Sequence, residues 1–179
     1  MNIEQTLDNL KKELQEHKDA TSNKLSMIVF SGDLDKLLAS FIIATGAVSM
    51  GMDVVMFFTF WATPALRDKK KKGRGKDLFG KMFGFMLPKG TTKVKLSKMN
   101  MGGAGTEMMK FLMKKKNINS LEQMVALAAE LGVRIYICEM SMDLMGMEKE
   151  EMIDYPGIEL AGVAKFLEEA ANSKIQLFI

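Results

Sequence analysis

Two hydrophobic periods alternate along the chain, and each change of period marks a boundary. Ile3, Leu7, Leu10 and Leu14 recur at four-three-four spacing in a stretch that is otherwise charged or polar. That spacing predicts an amphipathic helix over residues 2–20 with a narrow apolar stripe, suited to packing on its own domain or on a second copy. Thr21-Ser22-Asn23 breaks the pattern. Residues 24–30 then read as a strand ending at Ser31-Gly32-Asp33, with Asp33 as N-cap of a helix over 34–49. Residues 53–60 are β-branched and aromatic on both faces, the pattern of a strand buried from both sides. Residues 78–86, rich in Phe and Met, read as a short helix or cover, and 93–96 alternate like a short strand. The stretch 100–106 is a glycine loop opening a helix through about 115. Ser120 with Gln123 makes a capping box for a helix ending at Leu131-Gly132.

Residues 133–137 form a further predicted strand, with Ser141 as N-cap of a short helix beyond it. An acidic turn of helix at 148–152, one helix over 157–172 and a last strand at 174–179 complete the series. In the 157–172 helix, Ile158, Val163, Phe166 and Leu167 are placed inward. Strands alternating with helices predict a single doubly wound α/β domain. Its expected sheet is mostly parallel and five-stranded, with helices on both faces. The domain should span 23–179, behind an N-terminal helical segment at 1–22, with a mobile basic loop at about 64–90.

Composition narrows the chemistry. Hydrophobic residues make up 47% of the chain and charged residues 26%, enough for one proper core, and the net charge of +3 is mild. A single cysteine, Cys138, excludes an internal disulfide or a cysteine-rich zinc site and fits a reducing, cytoplasmic compartment. The one histidine, His17, lies in the charged N-terminal segment, far in sequence from any candidate nucleophile, which argues against Ser-His-Asp and Cys-His catalysis. No carboxylate pair or ligand cluster suggests a metal, and no cofactor is implied. The first twenty residues lack the apolar centre of a signal peptide. Residues 37–65 imitate a membrane span, but Gly46, Gly51 and Asp53 divide them into a helix-length and a strand-length piece, which favours a buried core. The basic run at 67–76 reads as a solvated loop, since no interleaved aromatics mark a specific nucleic-acid site. The eighteen methionines cluster at 82–113 and 140–152, where they serve as core filler or as an adaptable binding surface.

The residues that carry candidate chemistry all fall after predicted strands. Cys138 stands where a strand should give way to a helix, the edge at which open α/β sheets keep their ligands. Nearby amides would favour its thiolate, and Glu139 beside it would oppose ionisation. The alternative is a small buried hydrophobe. Ser31, Gly32 and Asp33 form a glycine turn before a helix, as do Asn100, Gly102 and Gly103; either is an anion cradle or simply a close-packed turn. Trp61 follows the second strand and Ser141 follows Cys138, so both belong to the same expected edge.

Several stretches together resemble the DsrE/DsrF/DsrH-like superfamily, and in particular its longer DsrE-like members, some of which carry a peroxiredoxin-family label. These are Ser31-Gly32-Asp33-Leu34-Asp35-Lys36, Met56-Phe57-Phe58-Thr59-Phe60-Trp61, Met86-Leu87-Pro88, Ser97 to Gly103, Cys138 to Gly146, Gly162-Val163-Ala164 and Leu177-Phe178-Ile179. They run in family order over roughly residues 24–179. The resemblance implies a compact flavodoxin-like sheet and a homo-oligomer. It also implies a sulfurtransferase-like role in which Cys138 holds sulfane sulfur as a persulfide and exchanges it with a rhodanese-like or small thiol carrier protein. No thioredoxin-like motif or resolving cysteine is present, so the peroxiredoxin label implies no peroxidase. The competing expectation is a binding module without chemistry, holding a nucleotide or other anionic ligand at the same edge.

Overall fold

The computed structural model describes residues 5–12, 22–71, 73 and 78–179. Strands β1 (Ser22–Val29), β2 (Asp53–Phe58), β3 (Arg134–Cys138), β4 (Ile158–Ala161) and β5 (Ser173–Phe178) form one sheet in the order β4-β3-β2-β1-β5. All four pairings are parallel. Parallel strands need crossovers, and helices α1 (Leu34–Ser49), α2 (Leu78–Met86), α3 (Ala104–Lys115), α4 (Leu121–Glu130), α5 (Glu139–Leu144) and α6 (Val163–Ala171) supply them.

The sheet divides two cores. One face packs Leu25, Met27, Val54, Met56, Ile135 and Ile137 against Leu37, Phe41 and Ala44 of α1 and Met124, Val125 and Ala128 of α4. The i, i+4, i+7 and i, i+1, i+4 spacings of those helical residues place each set on one stripe. The other face is smaller: Val55, Phe57, Tyr136, Cys138 and Ala161 meet Phe166 and Ala170 of α6. β2 is buried at every position but its first, as its two-faced apolar pattern requires. The apolar run at 37–65 therefore resolves into α1, β2 and part of a 3-10 segment, Phe60–Leu66. No helix among the described residues is long and apolar enough to cross a membrane.

Several expectations need correction. Residues 93–96 are not a strand. Lys93 closes a 3-10 turn, Thr91–Lys93, and the backbone groups that follow are taken elsewhere. Leu34 N–H donates to the Lys95 carbonyl at 2.8 Å, Leu96 N–H to the Thr106 hydroxyl at 3.0 Å, and Ser97 N–H to the Asp35 carboxylate at 2.9 Å. The fifth strand lies instead in 157–172, which is strand β4, Gly162 and helix α6 rather than one helix. The short alternation Ile-Glu-Leu-Ala pairs with β3, setting Cys138 beside Ala161. Because α6 begins only at Val163, its inner stripe is Phe166, Glu169 and Ala170; Val163 and Leu167 face outward. β2 stops at Phe58, two residues early. Ser141 is not an N-cap, because β3 runs into α5 with Cys138 itself at the capping position.

Other details agree with the pattern. The Ser120–Gln123 capping box forms, and Asp33 occupies the N-cap position of α1, although its carboxylate makes no capping bond. Residues 5–12 are helical with Leu7 and Leu10 exposed; Ile3, Leu14 and His17 lie outside the described residues. Arg67, expected to open a solvated basic run, is buried instead, its Nη2 lying 3.0 Å from the Glu151 carboxylate.

Candidate functional site

The carboxyl ends of β1, β2 and β3 converge because parallel strands share one direction, and the turns that follow them build the candidate site. After β1, Phe30 and Ser31 N–H groups donate to the carbonyl of Ile179, beyond the end of neighbouring β5. Gly32 then passes directly beneath the turn after β2. A Cβ at this position would stand 2.0 Å from the Trp61 carbonyl oxygen, so only glycine permits the approach. The Asp33 carboxylate accepts from the Ser31 hydroxyl at 2.8 Å and pairs with Lys36 at 3.3 Å.

Ser31, Gly32, Asp33 and Trp61 line one groove of about 730 Å³. Its opposite wall is the end of α2 and the segment behind it: Gly84, Phe85, Met86, Leu87, Pro88 and Lys89, closed off by Lys93 and Lys95. Sequence reasoning placed the first four residues at a common edge but missed this second wall. The lysines carried no signal of their own, because their alternation read as a strand. Asn100, Gly102 and Gly103 do not line the groove. The Asn100 carbonyl accepts the Gly103 and Gly105 N–H groups at 2.8 and 3.1 Å, and its side-chain oxygen accepts the Thr106 hydroxyl at 2.7 Å. Those amides are turned inward to close the start of α3.

Cys138 ends β3 on the α6 face, 5% exposed, in the cluster that holds Phe57, Ala161 and Phe166. The aromatic pair Phe57–Phe166, 5.5 Å between ring centres, braces α6 over this face. Thr59, one residue beyond the paired Phe58 and Ile137, is bonded hydroxyl to hydroxyl with Ser141 at 2.8 Å. That buried bond ties the end of β2 to α5 at the level of the thiol. Ser141 thus holds the Cys138 segment in place, and Thr59 is the partner that sequence reasoning overlooked. Cys138 does not line the groove. The two features share an edge of the sheet but not a cavity. No group of three or more histidine, cysteine, aspartate or glutamate side chains able to hold a metal occurs among the described residues.

At the far end of α6, Glu169 anchors the helix. Its carboxylate is met by Lys24 at 2.6 Å, by Arg134 and the Tyr136 hydroxyl at 3.1 Å each, and by Lys165 at 3.6 Å. Burial on its own raises the carboxyl, but the Lys24 hydrogen bond and the Arg134 charge outweigh it and hold Glu169 down at about 2. The same cluster moves its other members: burial and the Glu169 carboxylate together raise Tyr136.

Fold and site define a class: an α/β protein built on a five-stranded, all-parallel sheet, whose one thiol closes an inner strand beneath a crossover helix. The chain belongs to the DsrE/DsrF/DrsH-like family, whose model matches residues 21–178. It is 42% identical over 158 residues to the Bacillus subtilis protein YrkE, covering 88% of this chain and 98% of that one. It is 38% identical over 160 residues to the sulfur carrier protein DsrE2 of Allochromatium vinosum, covering 87% and 98%. Among solved structures, the YchN protein of E. coli superposes with a TM-score of 0.54 at 14% identity, over 87% of this chain and 98% of that one. That likeness shows the fold.

Proposed function

We propose that the protein is a sulfur carrier that holds sulfane sulfur as a persulfide on Cys138. The observation that carries the reading is the position of the chain's one cysteine, at the carboxyl end of a central strand, in a chain 38% identical to a sulfur carrier protein. The Cys138 thiolate attacks the outer sulfur of a donor persulfide, forming the new S–S bond as the donor's S–S bond breaks and the donor leaves as a thiolate. An acceptor thiolate then attacks the outer sulfur on Cys138 and releases the Cys138 thiolate. Sulfur moves without net oxidation, so no cofactor is needed. Donor and acceptor are protein thiols, such as a rhodanese-like or small thiol carrier protein, in the reducing cytoplasm. Since Cys138 is buried at rest, transfer requires the α6 face to open. The outward-facing Val163, Leu167 and Phe178 support self-association of the chain through that face.

The reading is tested by intact-protein mass spectrometry after exposure to an inorganic polysulfide, comparing wild type with Cys138→Ser. The expected result is one added sulfur on the wild type alone, removed by a small thiol. A thiol that stays unmodified until the protein is denatured would assign Cys138 to packing. The second reading, an anionic ligand in the groove, is favoured by Lys89, Lys93 and Lys95 around Trp61. It predicts ligand-induced thermal stabilisation equal in wild type and Cys138→Ser.

A further inference from the structure

The groove has a composition unlike the rest of the edge. Three large apolar side chains line it in an exposed state: Trp61 at 50%, Phe85 at 91% and Met86 at 70%. Three lysines rim it, against one carboxylate, Asp33, which Ser31 and Lys36 already satisfy. Lys89 is tethered to the Lys71 carbonyl. Lys93 and Lys95 have no carboxylate partner among the described residues. Exposed aromatic and methionine side chains inside a concavity lose contact with water only when something fills it, and methionine adapts its shape to what binds. Unpaired lysines at the rim select a negatively charged occupant. A flat bilayer would need these groups on a convex plane, whereas here they face one another across a groove.

We infer that this groove is a protein-docking site for an acidic segment that inserts one large apolar side chain between Trp61, Phe85 and Met86 while its carboxylates meet Lys93 and Lys95. That the partner is the protein thiol exchanging sulfur with Cys138 rests on the persulfide reading above; the chemistry of its surface does not. α2 connects the groove to the loop that follows the helix after Cys138. The helix lies so close to the loop after α5 that a Cβ on Gly146, whose φ is +58°, would stand 2.3 Å from the Gly80 Cα. Arg67 donates to the Gly84 carbonyl at 3.5 Å from beneath. One element therefore forms a wall of the groove and touches the loop after α5, the helix that begins at Glu139 directly after Cys138.

Trp61 is the only tryptophan in the chain, so its emission reports filling of the groove. The probe is a short synthetic peptide with one leucine flanked by glutamates. Its controls are the same peptide with glutamines and phosphatidylglycerol vesicles. The expected result is a saturable change in Trp61 emission with the glutamate peptide only, weakening with salt. Binding should fall about tenfold or more in the double variant Lys93→Glu, Lys95→Glu and in Phe85→Ser, all at exposed side chains, and persist in Cys138→Ser. Equal binding of both peptides, full binding by the lysine variant, a response to vesicles alone, or no response would each overturn the inference. Polysulfide loading of Cys138 bypasses the groove. Loss of peptide binding with loading intact therefore overturns the docking site alone, and loss of loading with binding intact overturns the persulfide reading alone.

Discussion

Glutamine at position 169 would remove the charge on which Lys24, Arg134 and Lys165 converge while keeping the shape and an acceptor for the Tyr136 hydroxyl. In the fold the carboxyl sits at about 2, against an ordinary 4.5. A group that holds its proton less tightly when folded stabilises the protein above its unfolded value, and that contribution is lost as pH falls from about 4.5 to about 2. At about 1.4 kcal/mol per pH unit, the difference has an upper bound of about 3 kcal/mol. Glu169→Gln should therefore lose up to about 3 kcal/mol at pH 7, and the gap to wild type should narrow below about pH 4.5, to about half or less at pH 3. Urea unfolding followed by far-UV circular dichroism at pH 7, 5, 4 and 3 measures it. A gap that is the same at pH 7 and pH 3 would refute the reasoning, because it would show that the lost stability owes nothing to the charge. The same variant bears on function. Loosening α6 uncovers the face that buries Cys138, so its thiol should react faster with an aromatic disulfide reagent.

Two further perturbations follow from the geometry. Arg67→Met alone removes the cation facing the buried Glu151 carboxylate and should cost about 3–5 kcal/mol, whereas the double replacement of Arg67 and Glu151 by methionine should cost less than the single one, the remainder being the lost bond from Glu148 N–H. Chemical denaturation of the two variants checks this, and equal losses would mean that the pair is not coupled. Gly32→Ala forces a methyl against the Trp61 carbonyl 2.0 Å away, so the turns after β1 and β2 must separate, at a cost of about 1–3 kcal/mol. Thermal unfolding together with Trp61 emission would show both the loss and the movement, and an unchanged spectrum would contradict the packing.

Where local pattern carried the information, the chain could be read without its fold. The two-faced apolar run of β2, the stripes of α1 and α4, the capping box at Ser120 and the strand ending in Cys138 are all decided by residues close in sequence, and parallel alternation of strand and helix follows from them. β4 was hidden for a physical reason. Four residues between two glycines, continuous with a helix, have no period of their own long enough to distinguish them, and only pairing with β3 makes Ile158–Ala161 a strand. Residues 93–96 failed in the opposite sense, since their alternation is real but their backbone bonds are claimed by the start of α1 and by Thr106.

The candidate site divides in the same way. The sequence by itself singled out the residue proposed to carry the chemistry, because there is one cysteine and it ends a strand. Only the tertiary structure decided that Cys138 is covered by α6 and not open to the groove, that Ser141 bonds Thr59 across 82 residues of chain, and that Lys93 and Lys95 face Trp61. Burial, pairing and the meeting of charges depend on contacts between segments far apart in sequence, and those contacts exist only once the sheet has set its order.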